Sequence, residues 1–130
     1  MKKIVYLVMF LGVLTSCINQ RSEKVKVVSA EEMQSLLELD DVQLVDVRTQ
    51  EEFDEGYIAD AQNIDYFSPT FEEDIKKLDK DKPVILYCKS GGRSAKCADK
   101  MAEAGFVKIY DLEGGISKWQ HKGYEVKTKS

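Results

Sequence analysis

The chain has 130 residues, 43% hydrophobic and 32% charged, with a net charge of -4 at pH 7. That length fits one ordinary domain with a little to spare, and the globular composition argues against a fibrous or disordered chain. Net acidity excludes the basic stripe by which proteins hold nucleic acid, and 3 scattered cysteines exclude a disulfide framework.

Residues 1–16 read as a targeting segment that is not part of the fold. Lys2-Lys3 gives a charged start, and Ile4 to Leu14 is an apolar run too short for an ordinary membrane span. Leu14-Thr15-Ser16-Cys17 then resembles a bacterial lipobox, in which cleavage before the cysteine leaves it as the lipidated N-terminus. Cys17 is the expected lipidation site; an ordinary secretory signal and an uncleaved anchor helix stay open as alternatives. Residues 17–26 are polar and aperiodic and read as a tether. The expectation is a domain over 27–126 and a short tail over 127–130. It would be held to a bilayer by acylated Cys17 in the bacterial cell envelope, facing the periplasm or the exterior.

Val27-Val28 opens the domain. Ser29-Ala30-Glu31-Glu32 is a capping box, with Met33, Leu36 and Leu37 on the apolar face of a helix to about Leu39. Val42–Val47 reads as a strand. Asp46 and Arg48 stand at its carboxyl end, where open α/β sheets bind ligands. They are candidates for bordering a site and equally for a purely structural ion pair. Thr49-Gln50-Glu51-Glu52 is a second capping box, its helix ended by Gly56, and Ile58 and Ile64 enter the core. Ser68-Pro69-Thr70 starts a helix whose Phe71, Ile75 and Leu78 share a face, while Glu72-Glu73-Asp74 is solvated near the positive end of the helix dipole.

The chemistry concentrates in Val84 to Ala95. Val84–Tyr87 reads as a strand buried on both faces, and Cys88 stands where it ends. Lys89, Ser90, Gly91 and Gly92 form a loop, and from Arg93 or Ser94 a helix carries Ala95, Ala98, Met101 and Ala102 on one face to Gly105. Backbone amides of such a loop converge on one spot, the helix terminus adds partial positive charge, and Lys89 and Arg93 add full charges. A cysteine there ionises below the free-thiol value of about 8.5, and the thiolate is the nucleophile. Cys97 lies on the apolar face as a small buried hydrophobe; a resolving partner for Cys88 is the sharper alternative. Phe106–Tyr110 reads as the last clear strand, Gly114-Gly115 as a turn, and Ile116 and Trp119 as the start of a final helix with Trp119 a core anchor. Gly123–Val126 is extended. His121, the single histidine, reads as exposed and idle, so no Cys–His pair is expected and electrostatics must activate Cys88.

Cys88-Lys89-Ser90-Gly91-Gly92-Arg93-Ser94 resembles the active-site loop of the rhodanese-like domains, sulfurtransferases with a cysteine persulfide intermediate. Leu44-Val45-Asp46-Val47-Arg48, Glu51-Glu52-Phe53 and Gly56-Tyr57-Ile58 are similar to the family's first half, and Asp111-Leu112-Glu113-Gly114-Gly115-Ile116 with Trp119 to its C-terminal signature. Tyr57 and Asp60 replace the family's usual His and Gly. The resemblance implies an α/β domain, a mainly parallel sheet of about five strands with helices on both faces. It also implies a monomer without metal or organic cofactor. Its Cys88 would take sulfur from a small donor such as thiosulfate and pass it to a thiophilic acceptor. Lys89, Ser90, Gly91, Gly92, Arg93 and Ser94 would bind substrate, with Arg48 and Asp46 bordering. A cysteine phosphatase or arsenate reductase would place five residues between Cys and Arg, where this chain has four. A non-catalytic sulfur carrier, sensor or partner-binding module is the other alternative.

Overall fold

Five short stretches pair into one sheet: β1 (Val25–Val28), β2 (Gln43–Asp46), β3 (Gln62–Asn63), β4 (Val84–Tyr87) and β5 (Ile109–Leu112). Every pairing is parallel, in the order β1-β5-β4-β2-β3. A parallel sheet must be covered on both faces, and the helices do this: α1 (Ala30–Leu37), α2 (Gln50–Glu55), α3 (Phe71–Ile75), α4 (Gly92–Glu103) and α5 (Gly115–His121). The structure is a computed structural model that describes residues 23–39 and 41–129. The targeting segment, Cys17 and most of the tether lie outside the described residues.

Strand alternation divides the core. Val84, Leu86 and Cys88 face a cluster with Phe71, Ile75, Cys97, Ala98 and Met101. Ile85 and Tyr87 face Ala30, Met33, Ile116 and Trp119 on the other side. All four β4 residues are fully buried, so the central strand is the most rigid support available for whatever follows it. The expected α/β class, parallel sheet and two-sided helical cover are all present.

Both capping boxes form: Glu32 N–H donates to Ser29 Oγ at 3.1 Å and Glu52 N–H to Thr49 Oγ1 at 3.3 Å. Trp119 is buried and its indole N–H donates to the Glu125 carbonyl at 3.0 Å. Two expectations need correction, and one strand left no signal to read. The last strand is Ile109–Leu112, not Phe106–Tyr110. Gly105, at φ +98°, turns the chain so that Phe106 N–H closes α4 on the Met101 carbonyl. Val107 N–H then bonds Lys80, and strand pairing starts only at Ile109. The buried face of α4 is Ser94, Cys97, Ala98, Met101 and Ala102, while Ala95 is exposed. The helix starts at Gly92, and that phase turns Ser94 inward. Finally, β3 has only two residues, too short to leave a periodicity.

Tyr57 and Asp60 now have structural explanations. Asp60 holds φ +69°, a left-handed conformation that glycine adopts freely and Asp tolerates. Tyr57 pairs antiparallel with Lys127 and stacks on Phe53 at 4.5 Å. The first strand begins at Val25, and the Tyr57 bridge draws Lys127 onto the same body.

Candidate functional site

The loop after β4 is closed around a single sulfur. Gly91, at φ +118°, turns the backbone so that its N–H donates to Cys88 Sγ at 3.0 Å. A side-chain-bearing residue would be strained in that conformation. The same glycine caps α4, its carbonyl accepting from Ala95 N–H at 3.1 Å. Ser94, fully buried one turn into α4, holds its Oγ 3.5 Å from Cys88 Sγ and 3.2 Å from the Gly91 carbonyl. Lys89, Ser90 and Gly92 are exposed at the rim.

The C-terminal Gly-Gly turn locks this loop from behind. Ile116 N–H donates to the Cys88 carbonyl at 2.9 Å and Ser117 N–H to the Lys89 carbonyl at 3.0 Å. Gly115 lies so close that a Cβ placed on it would meet both carbonyl oxygens at 2.5 Å. Two segments far apart in the chain therefore form one rigid cradle.

Cys88 is almost wholly buried, and burial alone disfavours its thiolate. The Ser94 hydroxyl and the amides of Ser94, Gly91 and Ser90 outweigh burial, so the thiol sits below its ordinary range. Cys97 goes the other way: burial, with the Asp111 charge adding, pushes it up to about 12. Its Sγ packs at 3.7 Å on Met101 Sδ, and both described cysteines are free thiols. Cys97 is the small buried hydrophobe expected.

Arg93 departs from its expected position. Its guanidinium forms a bidentate pair with Glu52, at 2.6 and 2.9 Å. The pair, with burial opposing, holds the Glu52 carboxyl down at about 2. Phe67, largely exposed, lies against the same guanidinium at 5.8 Å. Glu52 thus serves two structures at once, capping α2 and tying α2 to α4 across the mouth of the site. Sequence reading recovered only the capping half.

Asp46 and Arg48 form a buried pair, Arg48 Nη2 to Asp46 Oδ2 at 2.6 Å, and the same Nη2 donates to the Gly56 carbonyl at 2.5 Å. Asn63 Nδ2 donates to the Asp46 and Arg48 carbonyls at 3.0 and 2.8 Å. Arg48 still borders a polar cavity of about 260 Å³ with Glu52, Lys89, Ser117 and Gln120. Asp46 lies fully buried behind it. The structure therefore brings Cys88, Gly91 and Ser94 into contact, and places Lys89 and Arg48 around one cavity beside them. Asn63, Gly115 and Asp111, which also shape this region, were missed; only the Gly-Gly pair carried a local signal, and it read as a turn.

Residues 29–122 match the rhodanese-like domain. The chain is 35% identical over 95 residues to the thiosulfate sulfurtransferase GlpE of Coxiella burnetii, covering 73% of this chain and 87% of that protein. It is 38% identical over 87 residues to the uncharacterized protein YqhL of Bacillus subtilis, covering 67% of this chain and 65%, just under two thirds, of that relative. Among solved structures, the rhodanese-related protein of Thermoplasma volcanium superposes with a TM-score of 0.71 at 30% identity, covering 80% of this chain and 99% of that one.

Proposed function

The chain belongs to the rhodanese-like domain family of sulfurtransferases, and we propose that it moves a sulfane sulfur through a persulfide on Cys88, with thiosulfate as a competent donor. The Cys88 thiolate attacks the outer sulfur of the donor. The donor's S–S bond breaks, its electron pair leaves with sulfite, and a new S–S bond stands on Cys88. A thiophilic acceptor then attacks the terminal sulfur and the thiolate returns. Cys88 is the catalytic residue, and the amides of the 89–93 loop hold the anionic sulfur. Lys89 supplies exposed positive charge at the mouth, and Arg48 lines the adjoining cavity.

The observation that carries this reading is the Gly91 N–H aimed at Cys88 Sγ at 3.0 Å. It supplies a dipole to a sulfur anion, where no histidine base stands. Arg93 argues against phosphoryl chemistry: its guanidinium is bound to Glu52, so it does not clamp a tetrahedral oxyanion over the loop.

The test is turnover of thiosulfate with cyanide on the wild-type chain, alongside a phosphatase assay. Mass spectrometry should show one added sulfur on the Cys88 peptide, and Cys88→Ser should lose both the sulfur and the turnover. A stable added sulfur without turnover would make the protein a carrier; no added sulfur would make it a binding module. The tethered arrangement is part of the same reading and rests on Leu14 to Cys17. Palmitate labelling of the wild type, lost in Cys17→Ala, is its measurement; unlabelled wild-type protein in the soluble fraction would refute it.

A further inference from the structure

The cavity beside the reactive loop carries charges of both signs, more than the capture of an anionic donor needs. Its volume is about 260 Å³, and its walls include Arg48, Glu52, Glu55, Lys89, Ser117 and Gln120. Lys89 follows Cys88 directly in the chain. Ile116 and Ser117, both on the wall, donate to the Cys88 and Lys89 carbonyls at 2.9 and 3.0 Å. The cavity is therefore fastened to the loop that carries the sulfur.

Its charges divide into engaged and unengaged groups. Arg93 binds Glu52 through both carboxylate oxygens. Arg48 gives Nε and Nη2 to Asp46, and Nη2 also to the Gly56 carbonyl. Its Nη1 bonds no described residue and is not sealed from solvent, although Arg48 is only 6% exposed and lines the cavity. Lys89 Nζ and the Glu55 carboxylate, both exposed, make no hydrogen bond or ion pair among the described residues. What remains for a ligand is two cationic groups on one side and one carboxylate, at the end of α2, on the other. Ser117 and Gln120, three positions apart on α5, add a hydroxyl and an amide.

That set discriminates among sulfur acceptors. A purely anionic ligand answers Arg48 and Lys89 but meets Glu55 as a like charge. A neutral thiol answers neither sign. A thiol bearing an ammonium and a carboxylate answers both, and complementary charge combined with repulsion of the wrong partner is how specificity is set.

We propose that this cavity is the acceptor subsite and selects a small thiol carrying both an ammonium and a carboxylate, with Glu55 as the specificity-determining residue that reads the ammonium. This acceptor class rests on the sulfurtransferase reading. The acceptor's thiolate, its proton given to solvent, attacks the terminal sulfur of the Cys88 persulfide. The S–S bond to Cys88 breaks, its electron pair returns to Cys88 as thiolate, and the acceptor leaves as a persulfide.

The experiment measures kcat/KM in the full chain for three acceptors, with thiosulfate as donor. L-cysteine carries both charges, cysteamine lacks the carboxylate, and 3-mercaptopropionate lacks the ammonium. Wild type is compared with Glu55→Gln and Glu55→Lys. Each thiol's own nucleophilicity is the same toward every variant, so it cancels in the comparison. In Glu55→Gln, L-cysteine and cysteamine should each fall about fivefold, the size of a part-exposed ion pair. 3-Mercaptopropionate should hold or rise, and Glu55→Lys should go further in the same direction. An unchanged ratio of L-cysteine to 3-mercaptopropionate overturns the proposal, as does an equal fall for all three. A second arm needs no sulfur transfer: iodoacetamide alkylation of Cys88, read on its peptide by mass spectrometry, with S-methyl-L-cysteine or 3-(methylthio)propionate present. S-methyl-L-cysteine should protect Cys88 at the lower concentration in wild type and lose that advantage in Glu55→Gln. Equal protection by the two, or none, overturns the proposal. A chain that turns over no thiosulfate with any acceptor refutes the sulfurtransferase reading instead, and the protection arm then decides the cavity's selectivity alone.

Discussion

Replacing Gly115 with alanine tests whether the C-terminal turn is what holds the reactive loop. The residue sits at φ +60°, where a Cβ costs roughly 1–2 kcal/mol. The added carbon would lie 2.5 Å from the carbonyl oxygens of Cys88 and Lys89, and ordinary contact begins at 3.4 Å. Both oxygens are backbone, so no flexible side chain can swing aside and the loop must retreat by about 1 Å. Retreat strains the two amide hydrogen bonds from Ile116 and Ser117, at 2.9 and 3.0 Å, each worth about 1 kcal/mol. The substitution should cost about 3–4 kcal/mol and lower the melting temperature by roughly 15 °C for a domain of this size. A displacement of about 1 Å at a reacting group costs about 100-fold in rate, so sulfur transfer should fall by that order and the Cys88 thiol should titrate higher. Gly114→Ala is the control: its Cβ meets only the Lys118 side chain, at 2.6 Å, and should lose stability while keeping most of its activity. Calorimetry and steady-state turnover read both. A Gly115→Ala protein with activity within threefold of wild type would refute the account of how the loop is held.

Cys97→Ala should keep full transfer activity and lose about 1–2 kcal/mol in urea unfolding, because a packed thiol against Met101 is replaced by space. Glu52→Gln should destabilise by about 1 kcal/mol at neutral pH, discounted for the partial exposure of the pair. The Glu52 carboxyl is lowered to about 2 from 4.5, so its contribution is present above 4.5 and is lost as pH falls toward 2. Urea midpoints of wild type and variant should therefore converge in that window. Asp60→Gly should raise the urea midpoint by the equivalent of about 0.5 kcal/mol, since glycine holds φ +69° without strain.

The strand–cysteine–loop–helix unit was legible because each part carries its own local signal: a β-branched run, glycines that break it, then helical periodicity. The capping boxes were legible for the same reason, since Ser29–Glu32 and Thr49–Glu52 act within four residues. What escaped reading depends on tertiary placement. Glu52 satisfies the capping pattern completely, so nothing local points to Arg93, 41 positions away. The face of α4 carrying Cys97, Ala98, Met101 and Ala102 was legible, but Ala95 stood in for Ser94 on it because Ala95 is apolar and Ser94 polar. The starting position of the helix, set by Gly91, decides which of them faces the core. Asp111 sits inside a stretch that matches a family signature, and only burial makes its carboxyl unusual.

Those misreadings change where activation of the thiol comes from. Arg93 looks in sequence like the full positive charge that ionises Cys88, five residues after it. Its bidentate pair with Glu52, at 2.6 and 2.9 Å, neutralises most of that charge before it reaches the sulfur. What remains around Cys88 is a set of dipoles: the Gly91 amide at 3.0 Å, the Ser94 hydroxyl, and the start of α4. Fixed dipoles suit the proposed alternation between thiolate and persulfide, because they stabilise an anion in either position and form no strong salt bridge that the acceptor must break. They work only while the loop is rigid. The glycine turn behind it and the Glu52–Arg93 tie in front are thus as necessary to the thiolate as any charge beside it.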